Sequence, residues 1–195
     1  MTPIPPAVAR IAELLSSFGP KWYVAGGWAV DASLGRKTRE HEDIEIAIFR
    51  KDQRALFDYL DGWTREYVRP REGSPGEVLP WSGERLELPM HEIWARSSGF
   101  DLEVLLDERS GRDWVFRRDP RVTLPLSSLA VESDWGLPVL VPEIVLLYKA
   151  KNPRDRDELD FQTLPPHLTQ KQSYWLWEAI SLVHPGHPWL GPLSR

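Results

Sequence analysis

The sequence contains no cysteine in its 195 residues, and this absence excludes several kinds of site. Disulfides, thiolate metal centres and cysteine nucleophiles all need a sulfur atom that the chain does not have. Histidine is scarce as well, with five residues. Any bound metal is therefore expected to be a hard cation with oxygen ligands, or to use histidine.

The chain also lacks any hydrophobic run of about 18 residues, the length that a transmembrane helix needs. Residues 1–10 show neither the basic stretch nor the following apolar stretch of a secretory signal. We therefore expect a cytoplasmic protein that does not interact with membranes.

An excess of positive charge is missing too. The net charge is −5 and the sequence pI is about 5.6, so the field around the whole molecule repels a polyanion and disfavours nucleic acid as a partner. Hydrophobic residues make up 42% and charged residues 27% of the chain, which is typical of a globular protein. The length allows one core, or a core with a small helical appendage.

A strand, a glycine pair and a helix follow one another near the start of the chain. Residues 22–25 are short and β-prone, Gly26 and Gly27 form a turn, and residues 28–34 have helical periodicity. Glycine lets a phosphate approach the backbone closely, and a helix N-terminus presents free N–H groups. Gly26 and Gly27 are therefore candidate nucleotide-binding residues, although a glycine pair is also a common turn.

Two later segments alternate like strands and carry acids on one face. In residues 41–49, Asp43 and Glu45 point to the same side, and residues 100–106 place Asp101 and Glu103 together in the same way. Acids are also common on the wet face of a strand. Two acidic strands after a Gly-Gly turn, however, favour a site for two divalent ions about 3.5–4 Å apart. Asp43, Glu45 and Asp101 are the predicted metal ligands.

The rest of the predicted organisation is helical. Helices are expected over 143–151, 154–162 and 170–183, the last with a capping box formed by Thr169 and Gln172. We expect a core domain over residues 1–141 and a helical region over 142–195 packed on it.

Four basic residues are candidate contacts to phosphate. Lys149 or Lys151 on the helix after Pro142 could reach the β- or γ-phosphate, and a solvated lysine is the alternative. Arg39 and His41 flank the first acidic strand and could also touch phosphate, while His41 could equally be a hydrogen-bonded residue at the strand entrance.

The sequence GGWAVDASLGRKTREHEDIEIAI, residues 26–48, resembles the signature of the aminoglycoside and lincosamide nucleotidyltransferases, within the polymerase-beta-like nucleotidyltransferase superfamily. The similarity continues in FDLEVLLDE, residues 100–108, and more loosely over 142–161. This resemblance implies an α+β nucleotidyltransferase fold, in which a mixed β-sheet is flanked by helices and a C-terminal helical region lies beside it. It also favours Lys149 as the lysine that approaches the nucleotide.

The resemblance further implies roles for the acids. Asp43 and Glu45 match the paired metal ligands and Asp101 the third carboxylate, although Glu45 stands where many members carry aspartate. The implied reaction transfers a nucleoside monophosphate from a nucleoside triphosphate, with ATP the expected donor, to a hydroxyl of a small molecule. Mg²⁺ or Mn²⁺ would assist, and Asp101 or Glu103 would take the proton of the hydroxyl.

Two alternatives stay open at this stage. A toxin-like enzyme would modify tRNA or a protein and would use the arginines between Arg109 and Arg121 as a docking patch. A catalytically weak protein would bind nucleotide without releasing pyrophosphate.

Overall fold

The computed structural model describes residues 3–71 and 73–194, and a mixed β-sheet lies at its centre. Within these residues the strands are β1 (Trp22–Val24), β2 (Ile44–Phe49), β3 (Thr64–Arg71), β4 (Ser74–Pro80), β5 (Glu92–Ser97), β6 (Phe100–Ser110), β7 (Asp113–Val115), β8 (Thr123–Pro125), β9 (Ala130–Glu132) and β10 (Pro138–Leu140).

The strand order is β4-β3-β5-β6-β2-β1-β10-β9, and β7 continues from β6 to β8. The pairs β2/β6 and β1/β10 are parallel, whereas the other pairs are antiparallel. The prediction of a mixed sheet flanked by helices is therefore confirmed. The register of β2 against β6 places Glu45 opposite Glu103, so the two acidic faces lie side by side.

Helices cover the sheet. They are α1 (Pro6–Leu14), α2 (Gly26–Ser33), α3 (Gln53–Tyr59), α4 (Pro142–Lys149), α5 (Asp155–Thr163), α6 (Gln170–Val183) and α7 (Leu190–Leu193). Helix α2 packs on β2 and β10, α4 packs on α2, and α6 packs on α4. No helix in the described part of the chain is long and apolar enough to cross a membrane.

Two predicted boundaries need correction. Helix α2 begins at Gly26 rather than Trp28, because the Ala29 N–H already bonds the Ala25 carbonyl. Strand β2 begins at Ile44, so Asp43 precedes it; the Asp43 carbonyl accepts a hydrogen bond from the Trp28 indole at 3.0 Å. The predicted capping box at the start of α6 is confirmed.

Candidate active site

A cavity of about 280 Å³ opens between the acidic face of the sheet and helices α2, α4 and α5. Gly26, Glu45 and Glu103 lie on its sheet side, and Lys149 and Arg154 lie on its helical side. The cavity thus brings together two of the predicted acids, one predicted glycine and the predicted lysine.

A second cavity of about 150 Å³ lies beside the first. Its lining includes Asp43, Asp101, Glu103, Trp94 and Arg96. Glu103 borders both cavities, because the acidic face of β6 continues from one into the other. The four predicted acids are therefore divided between two adjoining spaces.

The carboxylate of Glu45 lies against the first turn of α2. Its Oε2 accepts a hydrogen bond from the Gly27 N–H at 3.3 Å. Gly26 has a φ of +56°, and a methyl group there would overlap the Glu45 carboxylate. Burial, followed by the charge of Asp43, raises the pKa of Glu45. Glu45 and Gly26 are thus fitted to each other.

Arg39 and His41 lie beside Gly27, where a methyl group on that glycine would overlap both side chains. Each is also bound by a buried aspartate. The Arg39 guanidinium donates from Nε and Nη2 to both oxygens of Asp160, at 3.0 Å each. His41 Nε2 lies 2.6 Å from Oδ2 of the fully buried Asp31. The loop between α2 and β2 is therefore held to both α2 and α5.

Lys149 on α4 is likewise bound by buried aspartates. Its Nζ lies 2.7 Å from Asp157 and 3.0 Å from Asp160. Against the effect of burial, hydrogen bonds from Arg154 and Lys149 lower the pKa of Asp157 to about 2. Asp157 and Asp160 thus pair with cations, as their spacing on one helical face indicates, and they fix Lys149 at the cavity wall.

Glu103 has a strongly raised pKa. Burial, followed by the charges of Glu45, Glu92 and Asp43, raises its pKa to about 8. Glu92 lies on β5, where its carboxylate accepts a hydrogen bond from the Trp94 indole at 2.7 Å. Negative charge is therefore concentrated here beyond what the neighbouring cations compensate.

Asp43 and Asp101 lie at the open end of the acidic face. The side chain of Asp101 is 73% exposed, and Arg96 lies 3.9 Å from it. Among the described residues, no three acidic or histidine side chains converge closely enough to form a finished metal site. The predicted ligands share one face of the sheet, but their carboxylates do not meet at one point.

Several site residues were not singled out by sequence reasoning. Glu92, Asp31 and Tyr148 are examples, and Arg117 and Arg118 were treated only as part of an arginine-rich stretch. Asp31 carried a usable signal, because a single acid within the apolar segment WAVDAS is buried if the helix packs on the sheet. The others carried none, because strand pairing and helix packing bring them to the cavity from distant parts of the chain.

Comparison with known proteins gives a consistent result. The sequence model of the family described as aminoglycoside-2''-adenylyltransferase matches residues 7–164. A stretch of 50 residues is 42% identical to 2''-aminoglycoside nucleotidyltransferases of Escherichia coli and Klebsiella pneumoniae. That stretch spans 24% of this chain and only 28% of the length of these curated relatives.

Two solved structures share the fold. One is the lincosamide antibiotic adenylyltransferase LnuA in a lincomycin-bound crystal structure, with a TM-score of 0.55 and 15% identity over 81% of this chain and 94% of that one. The other is ANT(2'')-Ia in complex with adenylyl-2''-tobramycin, with a TM-score of 0.50 and 14% identity over 95% of this chain and 91% of that one. The predicted nucleotidyltransferase fold is thereby confirmed.

Proposed function

Because the chain belongs to the aminoglycoside-2''-adenylyltransferase family, we propose that it transfers a nucleoside monophosphate to a hydroxyl of a small-molecule acceptor. The expected donor is ATP, so that AMP is transferred and pyrophosphate leaves. The names of the relatives, which refer to aminoglycosides and a lincosamide, support an acceptor of that size.

The position of Glu103 between two adjoining cavities carries this proposal. The larger cavity offers the nucleotide Gly26, at the start of α2, together with Lys149. The smaller cavity offers the acceptor the indole of Trp94 and the carboxylates of Asp43 and Asp101. The acceptor hydroxyl and the nucleotide phosphate would meet where the cavities adjoin, at Glu103.

The acids suit a hard divalent cation in their chemistry. Asp43, Glu45 and Asp101 would hold Mg²⁺ or Mn²⁺, because carboxylate oxygens are the ligands that these ions prefer. The concentrated charge that raises the pKa of Glu103 is what a cation would relieve. When bound, such an ion would offset part of the negative charge of the triphosphate and would polarise the phosphorus that is attacked.

The remaining steps belong to the side chains of the chain itself. Lys149, held by Asp157 and Asp160, would bind a phosphate oxygen without having to be ordered first. Glu103 would accept the proton of the attacking hydroxyl once positive charge nearby has lowered its pKa. Asp101, at the open end of the same face, would orient the acceptor.

The test begins with binding, because binding needs no knowledge of the acceptor. ATP, GTP, CTP and UTP are titrated into the protein by calorimetry with and without Mg²⁺, and pyrophosphate release is then followed with a panel of aminoglycosides and lincosamides. Asp43→Asn should lower Mg²⁺-dependent turnover by at least about 100-fold. Asp61→Asn, at an exposed position after α3, is the matched control. Full activity of Asp43→Asn would refute the metal assignment.

A small acceptor is favoured over a macromolecular one by where the arginines lie. Arg117 and Arg118 line the larger cavity, and Arg121 forms an ion pair with Asp119. Two arginines of that stretch thus line the cavity and a third is paired with an acid, which leaves less free positive charge for docking RNA or an acidic protein surface. A catalytically weak binding protein is distinguished by nucleotide binding without pyrophosphate release with any acceptor.

A further inference from the structure

Arg117 and Arg118 directly follow β7 and Phe116, and they line the larger cavity together with Glu45 and Glu103. The two arginines enter this space from a different part of the chain than Lys149 and Arg154 do. The larger cavity therefore has a second cationic group, separate from the one on α4 and α5.

The two guanidinium groups are not neutralised. Nη1 of Arg117 is buried and has no hydrogen-bond partner among the described residues. Arg118 donates from Nη1 to the Tyr148 carbonyl at 3.0 Å. In the described parts of the chain, neither arginine has a carboxylate within ion-pair distance, whereas Lys149 and Arg154 in the same cavity are both paired with Asp157.

The aromatic ring of Tyr148 packs against both guanidinium groups. The Arg117 guanidinium carbon lies 4.3 Å from the centre of the Tyr148 ring, and that of Arg118 lies 5.5 Å from it. Tyr148 in turn packs on Trp114 and donates from its hydroxyl to the buried Asp107 at 2.7 Å. The guanidinium groups are therefore positioned before any ligand arrives.

Keeping two cations adjacent costs free energy in the ligand-free protein. Burial, followed by the charge of Arg117, lowers the pKa of Arg118 to about 10. A bound dianion or polyanion would relieve this repulsion and would satisfy the free Nη1 of Arg117. Guanidinium groups present planar pairs of donors, a geometry that matches phosphate oxygens.

We propose that Arg117 and Arg118 form an anion subsite that binds the terminal phosphates of the nucleoside triphosphate and, after transfer, the leaving pyrophosphate. This assignment rests on the proposed function. Lys149 would then contact the nucleotide from α4, and the arginine pair would contact it from the β7 side. The pair would also repel a polycationic acceptor from the larger cavity, which directs such an acceptor to the smaller one.

Inorganic pyrophosphate is the direct probe. It is titrated calorimetrically into the full chain, alongside ATP and AMP, for the wild type, Arg118→Gln, Arg117→Lys and the double variant R117Q/R118Q. Each loss of a guanidinium should weaken pyrophosphate and ATP by at least about tenfold and leave AMP unchanged. Arg112→Gln, at an exposed position after β6, should change nothing. Arg118→Gln alone keeps the test valid if the double variant does not fold, because Arg118 is exposed.

The outcomes separate this assignment from the function itself. Absence of pyrophosphate binding to the wild type, or equal pyrophosphate affinity in wild type and Arg118→Gln, would overturn the arginine subsite. Tight pyrophosphate binding by a protein that binds no nucleoside triphosphate would overturn it too. Arginine-dependent ATP binding without transfer to any acceptor would instead contradict the proposed function and leave the subsite standing.

Discussion

Gly26 and Glu45 form a pair in which each residue depends on the other. The backbone of Gly26 lies in the left-handed region at a φ of +56°, and its missing side chain leaves the space that the Glu45 carboxylate fills. A left-handed backbone alone costs an L-residue about 1–2 kcal/mol. At this position the loss of space for a carboxylate adds to that cost.

The stability cost of replacing glycine by alanine should differ between Gly26 and Gly99. Gly99 also has a positive φ, +75°, but open space surrounds the position of an added methyl group. Gly99→Ala should lower the free energy of unfolding by about 1 kcal/mol, whereas Gly26→Ala should lower it by about 3 kcal/mol or more. Urea denaturation measures both. Similar losses in the two variants would show that Glu45 moves away without cost.

Helix α5 acts as a clamp that holds neighbouring segments of the chain through ion pairs. Asp160 on this helix is 2% exposed and binds both Arg39, from the loop after α2, and Lys149, from α4. It therefore joins three segments that are far apart in sequence. A buried aspartate with two cationic partners cannot be removed without leaving those cations uncompensated.

Replacing an aspartate by asparagine should have different effects on stability at two positions of α5. Asp160→Asn should lower the free energy of unfolding by about 3 kcal/mol, because Arg39 and Lys149 lose their shared counter-charge. Asp155→Asn, at the exposed first position of the same helix, should cost less than about 1 kcal/mol through the helix dipole. Thermal and urea unfolding supply the comparison. An equally small effect at Asp160 would show that its ion pairs with Arg39 and Lys149 do not stabilise the fold.

The stability of the whole molecule should depend on pH through the acidic face. Glu103 has a pKa of about 8 when folded, compared with an ordinary value near 4.5. The folded state therefore holds a proton that the unfolded chain releases, and stability is lost as the pH rises from about 4.5 to 8. His91, whose pKa burial lowers to about 4, acts in the opposite direction below pH 6.5. The window between pH 6.5 and 8 therefore excludes the opposing effect of His91.

The stability of Glu103→Gln relative to the wild type should change with pH within this window. The free energy of unfolding of Glu103→Gln, relative to the wild type, should rise by about 1–2 kcal/mol between pH 6.5 and 8, which is about 2–8 °C in Tm. Glu132→Gln, on the exposed edge strand β9, should show no such trend. Tm values over a pH series provide the measurement. A flat difference for Glu103→Gln would mean that Glu103 is already ionised at neutral pH.

The fold class and the acidic face could be predicted from residue spacing and motifs. Alternation follows from the two-residue period of a strand, so Asp101 and Glu103 had to share a face once β6 formed. Asp43 lies directly before β2 and lines the same cavity as these two acids. The capping box of α6 was equally readable, because it involves residues only three apart. Such features involve residues a few positions apart, and they can therefore be predicted from residue spacing.

Which groups meet across the cavity could not be predicted in this way, because it depends on how the strands pair and the helices pack. The parallel pairing of β2 with β6 placed Glu45 opposite Glu103 and gave Glu103 its raised pKa. Packing of α4 and α5 enclosed Lys149 between two aspartates, and the chain after β7 carried Arg117 to the same space. The strand pairing and the approach of Arg117 join segments that are far apart in the sequence, and the charge and burial of these groups depend on packing that no local pattern records.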